Sequence, residues 1–174
     1  MVKRNDALMR GSKAVVRITL IVNRVFFVGV VCLLIFSLGF PGTFAAAMVE
    51  PSPGRDIAAA VVGMRLLMLI GMAEAVGTEI LLRALTAIIA SADAGDPFVG
   101  ANEERLKTIG WALLGLQCLE FPAALLAKFF PSMGSARPDV SISWGGWIAV
   151  LMVFVLSRVF AAGAAMKADL EGTV

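Results

Sequence analysis

The chain contains no histidine. That removes the imidazole on which His-ligated haem, the usual zinc sites and His-based acid–base catalysis depend. Cysteine is almost as scarce. Cys32 and Cys118 both fall inside long apolar runs with no reactive partner beside them, so no disulfide is expected and each is read as a small buried hydrophobe. Charge is sparse too, at 16% of residues where a soluble domain carries about a quarter. There is no phosphate-binding glycine loop and no paired aqueous carboxylate site, hence no nucleophile–base constellation; the chain is expected to be no enzyme and to carry no metal and no cofactor. Internal repeats and low-complexity tracts are missing as well, which leaves a solenoid or an inverted-repeat transporter without support.

What remains is apolar: 59% of the residues are hydrophobic and the mean hydropathy is +0.89. Four runs, about 25–48, 57–90, 106–130 and 144–166, each reach the approximately 20 residues that cross a bilayer core. In hydrocarbon every backbone N–H and C=O must be bonded internally, and runs this long lack the alternating pattern of a membrane barrel, so helices are the remaining choice. The expected fold is all-α, a four-helix transmembrane bundle: a basic amphipathic interfacial segment 1–24, one membrane domain 25–166 and a polar tail 167–174.

Lys and Arg near helix ends set orientation. Lys3, Arg4, Arg10, Lys13, Arg17 and Arg24 precede or open the first span, Arg105 and Lys107 lie between spans two and three, and Lys167 follows span four. The opposite side collects only Arg55, Lys128 and Arg137. Both termini are therefore expected in the cytoplasm. A cleaved signal peptide is the rival reading of the start, with the apolar core 25–40 followed by an A-x-A site at Ala45 to Ala47. It requires an unusually long basic region and would strip the bundle of one helix. On a helix, Lys3, Arg10, Arg17 and Arg24 recur every seven residues with Lys13 beside them, a cationic stripe opposite Leu8, Val15, Ile18 and Val22. It reads first as an orientation anchor continuing into the first span, and second as a candidate lipid or partner surface.

Phe40-Pro41-Gly42 marks the first exit, and Pro51 to Asp56 forms a short turn-rich loop into the second span. Between spans two and three, Asp96-Pro97 breaks a helix, Asn102 is placed as the N-cap of the next, and Glu103 and Glu104 sit in its first turn, where the helix dipole favours negative charge. Trp111, Trp144 and Trp147 are read as interfacial belt residues, and Met64, Met68 and Met72 as packing.

The stretch from Asp96 to Trp111, a Pro97-Phe98 pair, a spacer, an Asn102-Glu103 helix start and then Arg-Leu-Lys-Thr-Ile-Gly-Trp, resembles the bacterial membrane family known as domain of unknown function 2975. The four-span layout with a polar C-terminal tail is similar too. The resemblance implies a multi-pass protein of the bacterial inner (plasma) membrane without an assigned activity, often encoded beside a small helix-turn-helix regulator, which suggests a signalling role. The long basic start and the many charges within spans set this chain apart from the family pattern.

Those charges are Arg65, Glu74, Glu79 and Arg83 on span two, Glu120 on span three and Arg158 on span four. An ionised group at mid-bilayer costs roughly 2.5–3.5 kcal/mol on insertion scales, and pairing offsets that cost. At 1.5 Å per residue Arg65 lies about 12 Å from the outer end of its helix, level with Glu120; Glu74 and Arg158 lie about 25 and 21 Å deep. Arg65–Glu120, Glu74–Arg158 and, four residues apart on one helix, Glu79–Arg83 are therefore the expected ion pairs. On span two, Arg65, Glu79 and Arg83 share one face and Glu74 points the other way among Ala60, Gly63, Gly71 and Thr78, which makes this helix the central one. On span three Gln117, Glu120 and Ala124 share a stripe, with Pro122 loosening the helix. Pairing, proton or cation binding at the carboxylates, and snorkelling all remain open from sequence, and the equal tally of three acids and three arginines favours pairing.

Two functional classes follow. One is a membrane-embedded regulatory or sensory partner of a small cytoplasmic helix-turn-helix protein, with no direct contact to nucleic acid. The other is a small transporter or channel subunit using the Glu and Arg residues within its spans. Besides the lipid bilayer, the expected partners are a cytoplasmic protein and further copies of the chain.

Overall fold

The computed structural model describes the backbone of residues 2–49, 53–139 and 143–171, and the side chains of 11–49, 53–139 and 143–170. Among the described residues five helices follow one another: α1 Val2–Gly39, α2 Pro41–Met48, α3 Ile57–Asp93, α4 Ala101–Phe129 and α5 Trp144–Glu171, with one 3-10 turn at Pro131–Ala136. No strand occurs among the described residues. Four of the helices are long and apolar enough to cross a membrane: Gly11–Gly39, Ile57–Asp93, Ala101–Phe129 and Trp144–Leu170. The chain is thus an all-α, multi-pass membrane protein.

The limits of these helices refine those read from hydropathy. The basic segment and the first span form one continuous helix with no break at residue 24. The first span stops at Gly39 and does not run on to residue 48. Pro41 has no N–H to donate and its fixed φ suits the first turn of a new helix, so it opens α2. The second span reaches Asp93, the third begins at Ala101, and the fourth extends to Glu171.

Large apolar side chains such as Val22, Val25, Phe26, Val28, Ile35, Leu151 and Val155 face outward from these helices. In water that would be costly. In hydrocarbon it is neutral, and cohesion between helices must instead come from close packing at small residues and from polar bonds.

The chain divides into two compact units. One comprises Arg24–Val76 and Leu116–Ile142. Its core is Phe44, Val49, Ala60, Val61, Met64 and Met133, with Leu33, Met68 and Phe130 packed against it. Phe44 of α2 is fully buried and meets Phe36 edge-on at 6.5 Å between ring centroids. Asp56 caps α3, its Oδ1 accepting the Ala59 N–H at 3.0 Å. A Cβ on Gly63 would lie 2.6 Å from Met133 Sδ and 2.9 Å from Phe130 Cβ, the latter fixed by its own backbone. Glycine here is what lets the segment after α4 lie against α3.

The other unit comprises Met1–Asn23, Gly77–Gly115 and Ser143–Val174. Its buried residues include Val16, Leu82, Leu106, Ile109 and Val150, with Asn102 and Ser157 as buried polar side chains. Two small-residue contacts seat α5 in it. Phe154 lies over Gly110 and meets Trp111 edge-on at 5.5 Å, and Phe98 lies over Gly163 while stacking obliquely on Phe160 at 5.4 Å.

Gly63→Ala should lower the unfolding midpoint in detergent, because overpacking costs about 1–3 kcal/mol against about 0.5–1 kcal/mol gained in helix propensity. Gly115→Ala, where a Cβ meets nothing within 4 Å, should leave the midpoint unchanged or slightly raised.

Candidate functional site

The most elaborate polar construction lies where α3 gives way to α4. The helix α3 closes with Ala94 N–H donating to Ala90 O and Asp96 N–H to Ser91 O, and Gly95 takes a positive φ of 83° that glycine adopts without strain. Asn102 is fully buried one residue into α4. It does not act as the simple N-cap expected of it. Its Nδ2 donates to Ser91 Oγ at 2.7 Å and to Pro97 O at 2.8 Å, while its Oδ1 accepts from Arg105 Nη1 at 2.7 Å. Arg105 Nη1 also reaches Ala87 O at 3.2 Å. The side-chain amide therefore stitches the last turns of α3 to the first turn of α4, and a buried network satisfied in this way holds its loop in one shape.

Three charged contacts surround the stitch. Lys13 of α1 donates to the carboxylate of Asp93, Lys167 of α5 pairs with Asp96 at 2.7 Å, and Lys107 is held by Glu103 and Glu104 at 2.8 Å each. Each such exposed pair contributes only about 0–1 kcal/mol. Their value is positional: the early part of α1 and the last turns of α5 are both tied to the same connection.

Within the spans, the structure sorts the six sequence-predicted ionisable residues differently from the expectation. Glu79 and Arg83 do pair, with Nε to Oε1 at 2.9 Å, and Asn23 Nδ2 of α1 donates to the other carboxylate oxygen at 3.4 Å. Arg65 does not pair with Glu120. Its Nε donates to Ser37 Oγ at 2.8 Å and its Nη2 to Ser37 O, so the guanidinium is bonded to the first span. Ser37 is fully buried. Geometry decides this outcome, since one serine offers a hydroxyl and a carbonyl to adjacent N–H groups of one guanidinium. Neither Glu74 nor Arg158 makes an ion pair among the described residues, and both are exposed. The carboxyl of Glu74 instead lies close enough to that of Glu120 for their like charges to interact.

Of the cationic stripe, Lys13 is engaged by Asp93, Arg17 is exposed with no hydrogen bond or ion pair among the described residues, and Arg24 is exposed and keeps an interaction of its own. The side chains of Lys3 and Arg10 lie outside the described residues. Cys32 and Cys118 are free and exposed on their helices, not buried as expected. Among the described residues no three Cys, Asp or Glu side chains converge as metal ligands would.

Ser37 and Asn23 escaped the sequence reading because it matched charge with charge within the spans, and Asp93 and Asp96, outside that matching, were not read as partners of Lys13 and Lys167. The signal was present: α1 and α3 are joined by a short connection, and an asparagine and a serine inside an apolar helix are bonding groups that hydrocarbon cannot satisfy.

The model of the family described as Protein of unknown function (DUF2975) matches residues 45–174. No curated protein and no solved structure matches the chain.

A double-mutant cycle in detergent tests the pairing. Arg65→Met with Ser37→Ala should show a coupling of about 1–2 kcal/mol. Arg65→Met with Glu120→Gln should show less than half of that; the reverse ranking would restore the Arg65–Glu120 pair.

Proposed function

We propose, from the premise that this chain belongs to the family of proteins of unknown function DUF2975 and is a multi-pass membrane protein, that it is a non-enzymatic regulatory protein of a bacterial inner membrane. In this reading its polar end faces the cytoplasm and docks a small soluble helix-turn-helix regulator, which makes any contact with DNA while the membrane protein makes none.

The supporting observation is the built connection between α3 and α4. A loop fixed by the buried Asn102, and tied to α1 through Asp93 and to α5 through Asp96, is a preorganised surface, so a partner loses little ordering entropy on binding it. Its rim is charged, with Glu104 largely exposed, and charged rims steer soluble partners and select among them. The cytoplasmic orientation rests on the excess of Lys and Arg at this end. Further copies of the chain in the same membrane are compatible with the outward-facing apolar helices.

The neighbouring carboxyls of Glu74 and Glu120 favour a second reading, a small transporter or channel subunit in which they hold a proton or cation within the spans. The two readings differ in reagent access. Cysteines placed beside Glu74 and Glu120 should resist water-soluble thiol reagents from both sides if the protein is a regulator, and react if the pair lines a path.

Fused to its C-terminus, a fluorescent protein should mature and alkaline phosphatase should remain inactive; the opposite pattern would sink the cytoplasmic docking face. Mild crosslinking of the full chain with a helix-turn-helix protein encoded beside it should give a specific adduct. Glu104→Lys should reduce that adduct severalfold with membrane abundance unchanged, and an undiminished adduct would move the docking face elsewhere.

A further inference from the structure

We propose that the groove between the early part of α1 and the last turns of α3 is a binding site for the phosphate and upper acyl chain of a singly charged anionic phospholipid. The groove has a volume of about 270 Å³. Lys13 and Arg17 form its polar side, Val16, Leu20 and Ile89 its apolar side, and Thr86 and Ala90 complete the α3 wall.

These residues are ordered by depth. Lys13 stands at the rim, paired with Asp93, the last residue of α3. Arg17 lies one helical turn further in, about 6 Å, and Thr86 about 10 Å in from Asp93. The headgroup layer is roughly 5–7 Å thick on each side of the hydrocarbon core, so the groove runs from headgroup depth to the first acyl carbons. A lipid meets the same sequence of surroundings, with phosphate above and methylenes below.

The bonding capacity left in the groove points to one group. Asp93 already offsets the charge of Lys13. Thr86 spends its only hydroxyl hydrogen on Leu82 O at 2.7 Å. Of the two cations lining the groove, Arg17 is the one with no hydrogen bond or ion pair among the described residues, and a guanidinium matches two phosphate oxygens at once. With Asp93 beside Lys13 the three ions sum to a single positive charge, which suits a phosphodiester bearing one negative charge and a neutral head such as glycerol. A zwitterionic head would bring a cation against Arg17, where no free carboxylate among the described residues lines the groove. Free phosphate would leave the apolar side of Val16, Leu20 and Ile89 unused. The groove shares the Lys13–Asp93 bridge with the proposed docking surface, and the site holds under either functional reading.

Native mass spectrometry of the full chain in neutral detergent, with equimolar phosphatidylglycerol and phosphatidylcholine, reads the preference directly. The unaltered chain should carry mainly phosphatidylglycerol. Arg17→Gln should lower the bound phosphatidylglycerol about fivefold, the value of one cation at a lipid surface. Ala90→Phe fills the groove without changing charge and should lower it as well. Arg137→Gln, an exposed arginine of the other unit, should leave it unchanged. Equal binding of the two lipids, full retention by Arg17→Gln or by Ala90→Phe, or an equal loss in Arg137→Gln would each overturn the site.

Discussion

Hydrocarbon offers no hydrogen bonds, and that constraint shapes the polar contacts that join the spans. Arg65 illustrates it. Its guanidinium, held on an apolar helix, finds both a hydroxyl and a carbonyl on Ser37 of α1. The arrangement settles two groups together, since a fully buried serine is satisfied by the same contact that satisfies the arginine. In water such a bond would compete with solvent at little net gain. Here the competing state has no partner to offer, so the bond fixes which face of α3 meets α1.

Each unit repeats this logic with different groups. In one, Lys13 with Asp93 and Asn23 with Glu79 run antiparallel along α1 and α3. In the other, Ser37 and Arg65 do the same, beside a core in which Gly63 admits Met133 and Phe130. Aromatic rings over glycines, Phe154 on Gly110 and Phe98 on Gly163, supply the close packing that replaces the hydrophobic effect between helices. Phe98 belongs to the Pro-Phe pair that carries the family resemblance, and its ring meets α5 through Gly163 and Phe160. The pair thus has a packing role as well as a turn-forming one.

The four spans were legible because length and apolarity alone dictate them. The Phe40-Pro41 break was visible too, although hydropathy carried the first span past it: α2 is as apolar as a span, and only the missing proline N–H separates the two. Glu79–Arg83 could be read because four residues on one helix fix their geometry. Arg65–Glu120 and Glu74–Arg158 rested on depth arithmetic, and depth leaves rotation about the helix axis undetermined. It also ignores uncharged competitors. Serine and asparagine were invisible to a reading that counted only ions, and they turned out to hold Arg65 and to share Glu79. Asn102 shows the same gap on a smaller scale: its position at a helix start was read correctly, but its amide serves the preceding helix.

The bond between Ser37 and Arg65 also bears on how the chain enters the membrane. The two residues are 28 apart, and the serine is made first. At about 5–20 residues per second, Arg65 leaves the ribosome a few seconds after its acceptor. An arginine in a span is costly unless its N–H groups find acceptors, and Ser37 on the preceding helix supplies two of them. The order of synthesis thus puts the acceptor in place before the donor that depends on it.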